Sequence, residues 1–215
     1  MTEAPSARFR AQILEAFTPH AAELGWTDAA FRAAVKDAGL SDGEAVLACP
    51  NGAGDLFDAF ADRADQAMLA RLDELDLSAM RYRDRVRACV QVRLEAQAGY
   101  KAAARAMTRA LANPLRAPEA ARLLWRTADR IWRVLGDTST DGNYYSKRAI
   151  LSGVLASTYA RWFSDNSEDH ADTWAFLDAR IENVMQFEKF KARLKPISKG
   201  VQSAVGVAAR VRYGR

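Results

Sequence analysis

Apolar residues in this chain recur at the three- and four-residue spacing of helix faces, and no stretch alternates long enough to predict a strand. Phe9, Ile13, Leu14 and Phe17 predict a helix over Arg8–Leu24, with a kink or early break at Pro19. Thr27 as N-cap and Gly39 as a left-handed stop bracket a second helix. Ser41 and Glu44 stand at capping-box spacing, which starts a short third helix from about Asp42 to Cys49. The turn Pro50-Asn51-Gly52-Ala53-Gly54 follows, and Asp55 is expected to cap a helix carrying Phe57, Phe60, Met68 and Leu72.

Helical periodicity continues to residue 194. One helix is expected over Tyr82–Tyr100 and another over Lys101–Leu111, stopped by Asn113-Pro114. Pro118 then suits the first turn of a helix running to Leu135 and closed by Gly136, with Ala121, Leu124, Trp125, Ala128, Trp132 and Leu135 in one stripe. Tyr144–Phe163 and Asp172–Leu194 are the last two long helices, separated by a polar loop in which Asp172 is the expected N-cap. Gly153, Ala156, Ser157 and Ala160 form a flat face on the first of these, open to a neighbouring helix or a flat apolar ligand. The second carries apolar residues on two sides, which core packing, a ligand or a second copy of the chain in a homodimer would each explain. The pattern is that of an all-α chain of about nine or ten helices.

The order helix, glycine turn, short helix, then an aromatic helix is that of a helix-turn-helix head. Ala38-Gly39-Leu40-Ser41 resembles the turn before the recognition helix of the tetracycline-repressor class, so a TetR-like multi-helix bundle is expected. The recognition helix itself is degenerate: Asp42 to Cys49 holds two acids and no Arg, Lys, Tyr, Gln or Asn to meet phosphates or base edges. A ligand-responsive transcriptional regulator of the TetR kind is the alternative function, but no nucleic acid is the expected partner.

Charge sharpens this exclusion. The net of +4 hides a split: residues 1–188 hold 23 Lys and Arg against all 27 Asp and Glu, a net of −4, while residues 189–215 hold eight basic residues and no acid. Positive charge is therefore gathered in a tail, where Ile197, Val201, Ala204, Val205, Ala208 and Val211 fall on one side of a helix. A basic amphipathic segment of this kind suits an anionic membrane surface, with Lys199, Val201, Val205, Arg210 and Arg212 as the contacting residues. No run is long enough to span a membrane and the first ten residues lack a signal-peptide core, so a cytoplasmic protein is expected.

Material for catalysis is scarce. Cys49 and Cys89 read as reduced small hydrophobes, and His20 and His170 form no ligand pair, so no metal, no catalytic residue and no enzyme activity is expected. Asp165, Glu168, Asp169 and Asp172 around His170 lack the spacing of a calcium loop. More distinctive is Asp137 to Arg148, where capping residues are followed by Tyr144, Tyr145, Lys147 and Arg148, a mixture of rings and cations that suits a protein contact or a lipid headgroup.

Three stretches carry a further resemblance: Gly25-Trp26-Thr27 with the Ala-Gly-Leu-Ser turn, the string Gly136 to Arg148, and Asp172-Thr173-Trp174 with Phe176, Leu177 and Arg180. Together they resemble the coenzyme-Q-nine family, lipid-binding accessory proteins of ubiquinone biosynthesis with a TetR-like fold. Members more often have Phe-Asn-Trp-Tyr where this chain has Gly142-Asn143-Tyr144-Tyr145.

The resemblance implies an isoprenoid quinone intermediate or phospholipid as bound ligand rather than a cofactor, a ubiquinone-biosynthesis hydroxylase as partner, and a peripheral location on the cytoplasmic face of the inner membrane. It divides the chain into a head over residues 7–75, a lipid-binding domain over 76–195 and a membrane-associating tail over 196–215. Lipid contacts are expected from the facing sides of the three longest C-terminal helices: Leu124, Trp125, Ala128, Leu151, Val154, Leu155, Trp162, Leu177, Ile181 and Met185. The hydroxylase-facing surface would comprise Asp129, Ile131, Asn143, Tyr144, Tyr145 and Arg148.

Overall fold

The computed structural model describes residues 4–186, in which nine α-helices are linked by short 3-10 turns and no strand occurs. The expected tail and its residues Lys199, Val201, Val205, Arg210 and Arg212 lie outside the described residues. Helix α1 (Pro5–Leu24) does not break at Pro19. A proline there withdraws only the amide that Glu15 would use, and Ile13, Phe17 and Ala21, buried on both sides of it, hold the helix through. Helix α2 (Asp28–Asp37) is capped by the Thr27 hydroxyl, which accepts from Ala30 N–H at 3.2 Å, and Gly39 leaves it with φ +67°.

Helix α3 (Asp42–Ala48) opens with the full capping box: Glu44 N–H donates to Ser41 Oγ, and Ser41 N–H donates to Glu44 Oε2. Asp55 departs from its expected role. Its carboxylate turns back to accept from the Asn51 main-chain N–H at 2.7 Å and the Asn51 amide at 3.0 Å, closing the 3-10 turn Gly52–Asp55 ahead of α4 (Leu56–Asp73). Helix α5 (Tyr82–Glu95) also stops short of Tyr100: the chain turns at Gln97 into a 3-10 turn, and α6 (Lys101–Leu111) begins. Helices α7 (Ala117–Val134) and α8 (Gly142–Ser164) follow, the latter capped by Asp141. The last, α9, covers 171–186. Its start is organised by Asp165 rather than Asp172, because the buried Asp165 carboxylate accepts from the Thr173 and Ser167 N–H groups while Asp172 pairs with Arg161.

Trp26 sets the core of the head. Its ring stacks on Phe57 at 4.9 Å, meets Phe17 and Phe60 edge-on, and donates Nε1–H to the Ala53 carbonyl at 2.7 Å. Helix α1 packs against α2, α3 and α6, and the same core takes in Ala103 and Ala104 of α6, so packing of the head runs past residue 75. A second core, including Met68, Leu94, Ile131, Leu155, Trp162 and Leu177, joins α4, α5, α7, α8 and α9.

Between these cores lies one polar knot. Asp65 on α4 has no exposure, and its carboxylate accepts from Arg93 Nε on α5 at 2.6 Å and from Thr127 Oγ1 and Arg130 Nη1 on α7 at 2.9 and 2.8 Å. Removing one partner of a buried ion pair leaves the other charge uncompensated, at a cost of about 3–5 kcal/mol. Asp65→Ala should therefore lose about that much in urea unfolding, against about 1 kcal/mol for Ser41→Ala at the exposed capping box. A loss below 1 kcal/mol for Asp65→Ala would show that the knot does not hold the helices together.

Candidate ligand cavity and partner surface

Helices α4 to α8 do not close completely on one another. A cavity of about 270 Å³ remains, walled mainly by carbon, with Ala104, Met107, Leu111, Leu123, Leu124 and Leu155 among its lining. Buried Ala61, Arg93, Gln97 and Thr127 form its deep end, while exposed Thr108, Ala112 and Ala156 stand at its mouth. Small side chains at the mouth keep it open, and Ala156 belongs to the flat stripe of α8. Tyr159 lines the same cavity, its hydroxyl accepting from Arg93 Nη1 at 2.8 Å and donating to Gln97 Oε1 at 2.7 Å. Desolvation pushes the Tyr159 hydroxyl pKa up, which keeps it a neutral hydrogen-bonding group.

The ten apolar residues expected to touch lipid divide among different environments. Leu124 and Leu155 line this cavity. Leu151, Val154, Ile181 and Met185 surround a separate apolar space of about 80 Å³ between α5, α7, α8 and α9. Ala128, Trp162 and Leu177 are buried in the second core, and Trp125 turns to the aromatic surface described below. The walls supplied by α5 and α6 were missed, since a search for bulky apolar stripes passes over Ala104, Met107 and Gln97. The marked apolar face of α6 was the available signal.

On the opposite side of α7, Trp125, Tyr144 and Tyr145 gather with ring centroids 5.2 to 6.3 Å apart. Tyr145 is 64% exposed and Asn143 is exposed beside it, whereas Ile131 and Arg148 are buried. Those two support the surface from beneath. Ile131 belongs to the second core, and Arg148 lies under the Tyr144 ring, 3.8 Å from its centroid, with Nε on Asp129 at 3.0 Å and Nη1 on Asp137. The Tyr144 hydroxyl donates to Asp129 at 3.2 Å, and Lys147 pairs with Asp137 at 2.5 Å. Burial alone would raise Asp137, but donors from Lys147, Ser139 and Arg148 outweigh it and hold the carboxyl well below the usual carboxylate range. Asp129 is lowered likewise, burial being outweighed by Arg148 and Arg133.

The head presents a different face. Val46 and Leu47 on α3 are exposed, next to Asp42 and Glu44. A phosphate approaching α3 would meet carboxylates and aliphatic carbon. Burial raises both thiols, Cys89 up to about 12, which leaves them inert. Among the described residues no cluster of His, Cys, Asp and Glu could hold a metal ion, and no helix is long and apolar enough to cross a membrane.

Residues 117–188, which contain α7, α8, the aromatic surface and α9, match the family model COQ9. Over that stretch the chain is similar to the COQ9 proteins. It is 25% identical over 186 residues to the probable mitochondrial ubiquinone biosynthesis protein coq9 of Dictyostelium discoideum, a match covering 84% of this chain and 61% of that protein. The mitochondrial ubiquinone biosynthesis protein COQ9 of Rattus norvegicus is 36% identical over 96 residues, covering 44% of this chain and 31% of that protein. The chain thus spans less than two thirds of the length of these COQ9 relatives. The fold is also that of a TetR transcriptional regulator from Nitrosomonas europaea, with a TM-score of 0.66 at 20% identity, over 81% of this chain and 97% of that one. That likeness is one of fold, and it agrees with the TetR-like all-α architecture expected from the helix order.

The ion pairs under the aromatic surface have a pH signature. A carboxyl lowered in the folded state stabilises above its unfolded pKa, about 3.9, and that stabilisation drains away as pH falls below it. Urea midpoints should fall as pH drops from about 5 toward 2. Asp137→Asn should be less stable at neutral pH and show a shallower acid limb; parallel curves for variant and parent would remove Asp137 from the account.

Proposed function

We propose that this chain is a lipid-binding accessory protein of ubiquinone biosynthesis that holds an isoprenoid quinone intermediate or a phospholipid and presents it, at a membrane surface, to the demethoxyubiquinone hydroxylase. The observation that carries this reading is the open, carbon-walled cavity of about 270 Å³ in a chain related to ubiquinone biosynthesis proteins. Pockets for small ligands run from roughly 300 to 1,000 Å³, so this one suits a ring and the first part of a tail, and the rest of a polyprenyl chain would leave through the mouth. Each methylene withdrawn from water is worth about 0.8 kcal/mol, which is enough to make a short buried segment a firm hold. On this reading the chain does no chemistry itself and leaves the reaction to its partner. Exposed Tyr145 and Asn143 are the natural first contacts for that partner, and the basic segment beyond residue 188 supplies attraction to anionic lipid.

The TetR-like fold favours one rival, a ligand-responsive regulator. Such a protein would shift duplex DNA at low salt and lose the shift when residues 41–49 are changed. The acids and exposed aliphatic side chains of α3 speak against it.

Native mass spectrometry of the purified chain should find a quinone or phospholipid bound. Ala156→Trp, at the exposed mouth, should empty the cavity with little change in melting temperature, whereas Val154→Trp, in the tight space behind α8, should cost about 1–3 kcal/mol. An empty parent protein that stays empty when offered quinones and phospholipids would refute the carrier reading. For the partner surface, Tyr145→Ala should weaken association with the hydroxylase and leave the melting temperature unchanged. Tyr144→Ala should lower both, because its ring and hydroxyl are tied to Arg148 and Asp129. Equal association by parent and Tyr145→Ala in a pull-down would move the contact elsewhere.

A further inference from the structure

We infer that the cavity takes its ligand head first, and that the side-chain amide of Gln97 donates to an uncharged, oxygen-bearing ring at the deep end. This rests on the carrier reading and adds which end of the molecule enters and what recognises it. Gln97 is only 4% exposed, and the break between α5 and the 3-10 turn Ala98–Tyr100 places it on the cavity wall.

The direction of its hydrogen bonds follows from its neighbours. A guanidinium can only donate, so Arg93 uses an acceptor site on the Tyr159 hydroxyl, and that hydroxyl gives its single hydrogen to Gln97. The amide oxygen is thereby turned toward Tyr159 and the NH₂ group away from it. Two N–H bonds remain, and neither finds an acceptor among the described residues. Chains of hydrogen bonds polarise one another, so a cation at the head of this relay makes the terminal amide a better donor.

Charge selects the class of ligand. Arg93 is the cation in the cavity lining and it is paired with Asp65, while Arg122, Arg126 and Arg130, which share Asp58, Asp62 and Asp65, lie outside the lining, so the deep end offers donors without an unpaired cation for a phosphate. Thr127 spends its hydroxyl hydrogen on Asp65, and the Gln97 amide remains as an uncharged donor on that wall. A carbonyl or methoxy oxygen on a flat ring answers this arrangement, as quinones and methoxyarenes present it. Leu123, Leu155 and Ala104 provide apolar contact for the ring, and the gap between Ala112 and Ala156 lets a tail pass outward.

Two ring probes test this by competition dialysis on the full chain: a dimethoxy-methyl-benzoquinone with a ten-carbon tail, and decylbenzene, which keeps ring and tail but has no oxygen. The parent should hold the quinone about tenfold more tightly, the value of roughly one hydrogen bond to a buried donor. Gln97→Glu keeps an acceptor for Tyr159 and replaces the NH₂ with oxygen, so it should erase that preference and leave decylbenzene binding unchanged. Gln97→Met, with neither donor nor charge, gives the same readout if the glutamate variant loses its melting transition. Folded variants that keep the parent's preference, or a parent that binds both probes alike, would overturn the head-first orientation while the carrier reading stands. A parent that binds neither probe nor a phospholipid would overturn both.

Discussion

A carboxylate cut off from water cannot stay charged without donors, and Asp65 has to find them from helices that would otherwise have no reason to meet at that point. Arg93 arrives from α5 and Thr127 and Arg130 from α7, and each fixes the rotation of its helix about its own axis. A buried ion pair is a weak source of net stability, because desolvation consumes much of the attraction. Its contribution here is positional. Once Arg93 is oriented by Asp65, its remaining donors point at the Ala61 carbonyl and at Tyr159 of α8, and Tyr159 in turn orients Gln97. The polar deep end of the cavity is the far side of the same knot.

Helical architecture was legible because its signals are local. The Ser41–Glu44 box, Gly39 at the end of α2 and Pro118 in the first turn of α7 act within one turn of chain, and each stands where the residues place it. Where local rules failed, something distant or competing won. Packing on both sides of Pro19 kept α1 whole, Asn51 drew the Asp55 carboxylate away from α4, and Asp165 reached across its loop to organise α9.

The site was legible in outline only. Apolar periodicity points to Leu124 and Leu155, which line the cavity, and the company of cations points to Tyr144 and Tyr145, whose rings meet on the surface. The cavity itself depends on where large side chains are missing, which periodicity does not report. Asp65 did leave a trace, since a charged residue four positions after Ala61 falls on the buried face of α4, yet its partners lie 28 to 65 residues away and nothing local names them. Arg148 misled for a related reason: a cation beside two tyrosines reads as surface, and only the carboxylates of Asp129 and Asp137 from another helix and loop allow it to be buried.

Cavity and aromatic surface are built from the same pair of helices. Leu123 and Thr127 on one side of α7 line the cavity, while Trp125 and Asp129 on the other hold the tyrosines; on α8, Leu155 and Ala156 face the cavity, and Tyr144 and Tyr145 open the first turns. The α7–α8 contact is among the most extensive in the fold, and the Trp132 indole N–H, donating to the Lys147 carbonyl at 3.0 Å, pins the two near the aromatic end. A close-packed pair of this kind transmits displacement rather than absorbing it. A ring entering between Leu124 and Ala156 would press on both helices at once, so a partner resting on Tyr145 would touch the elements that bear the load of an occupied cavity.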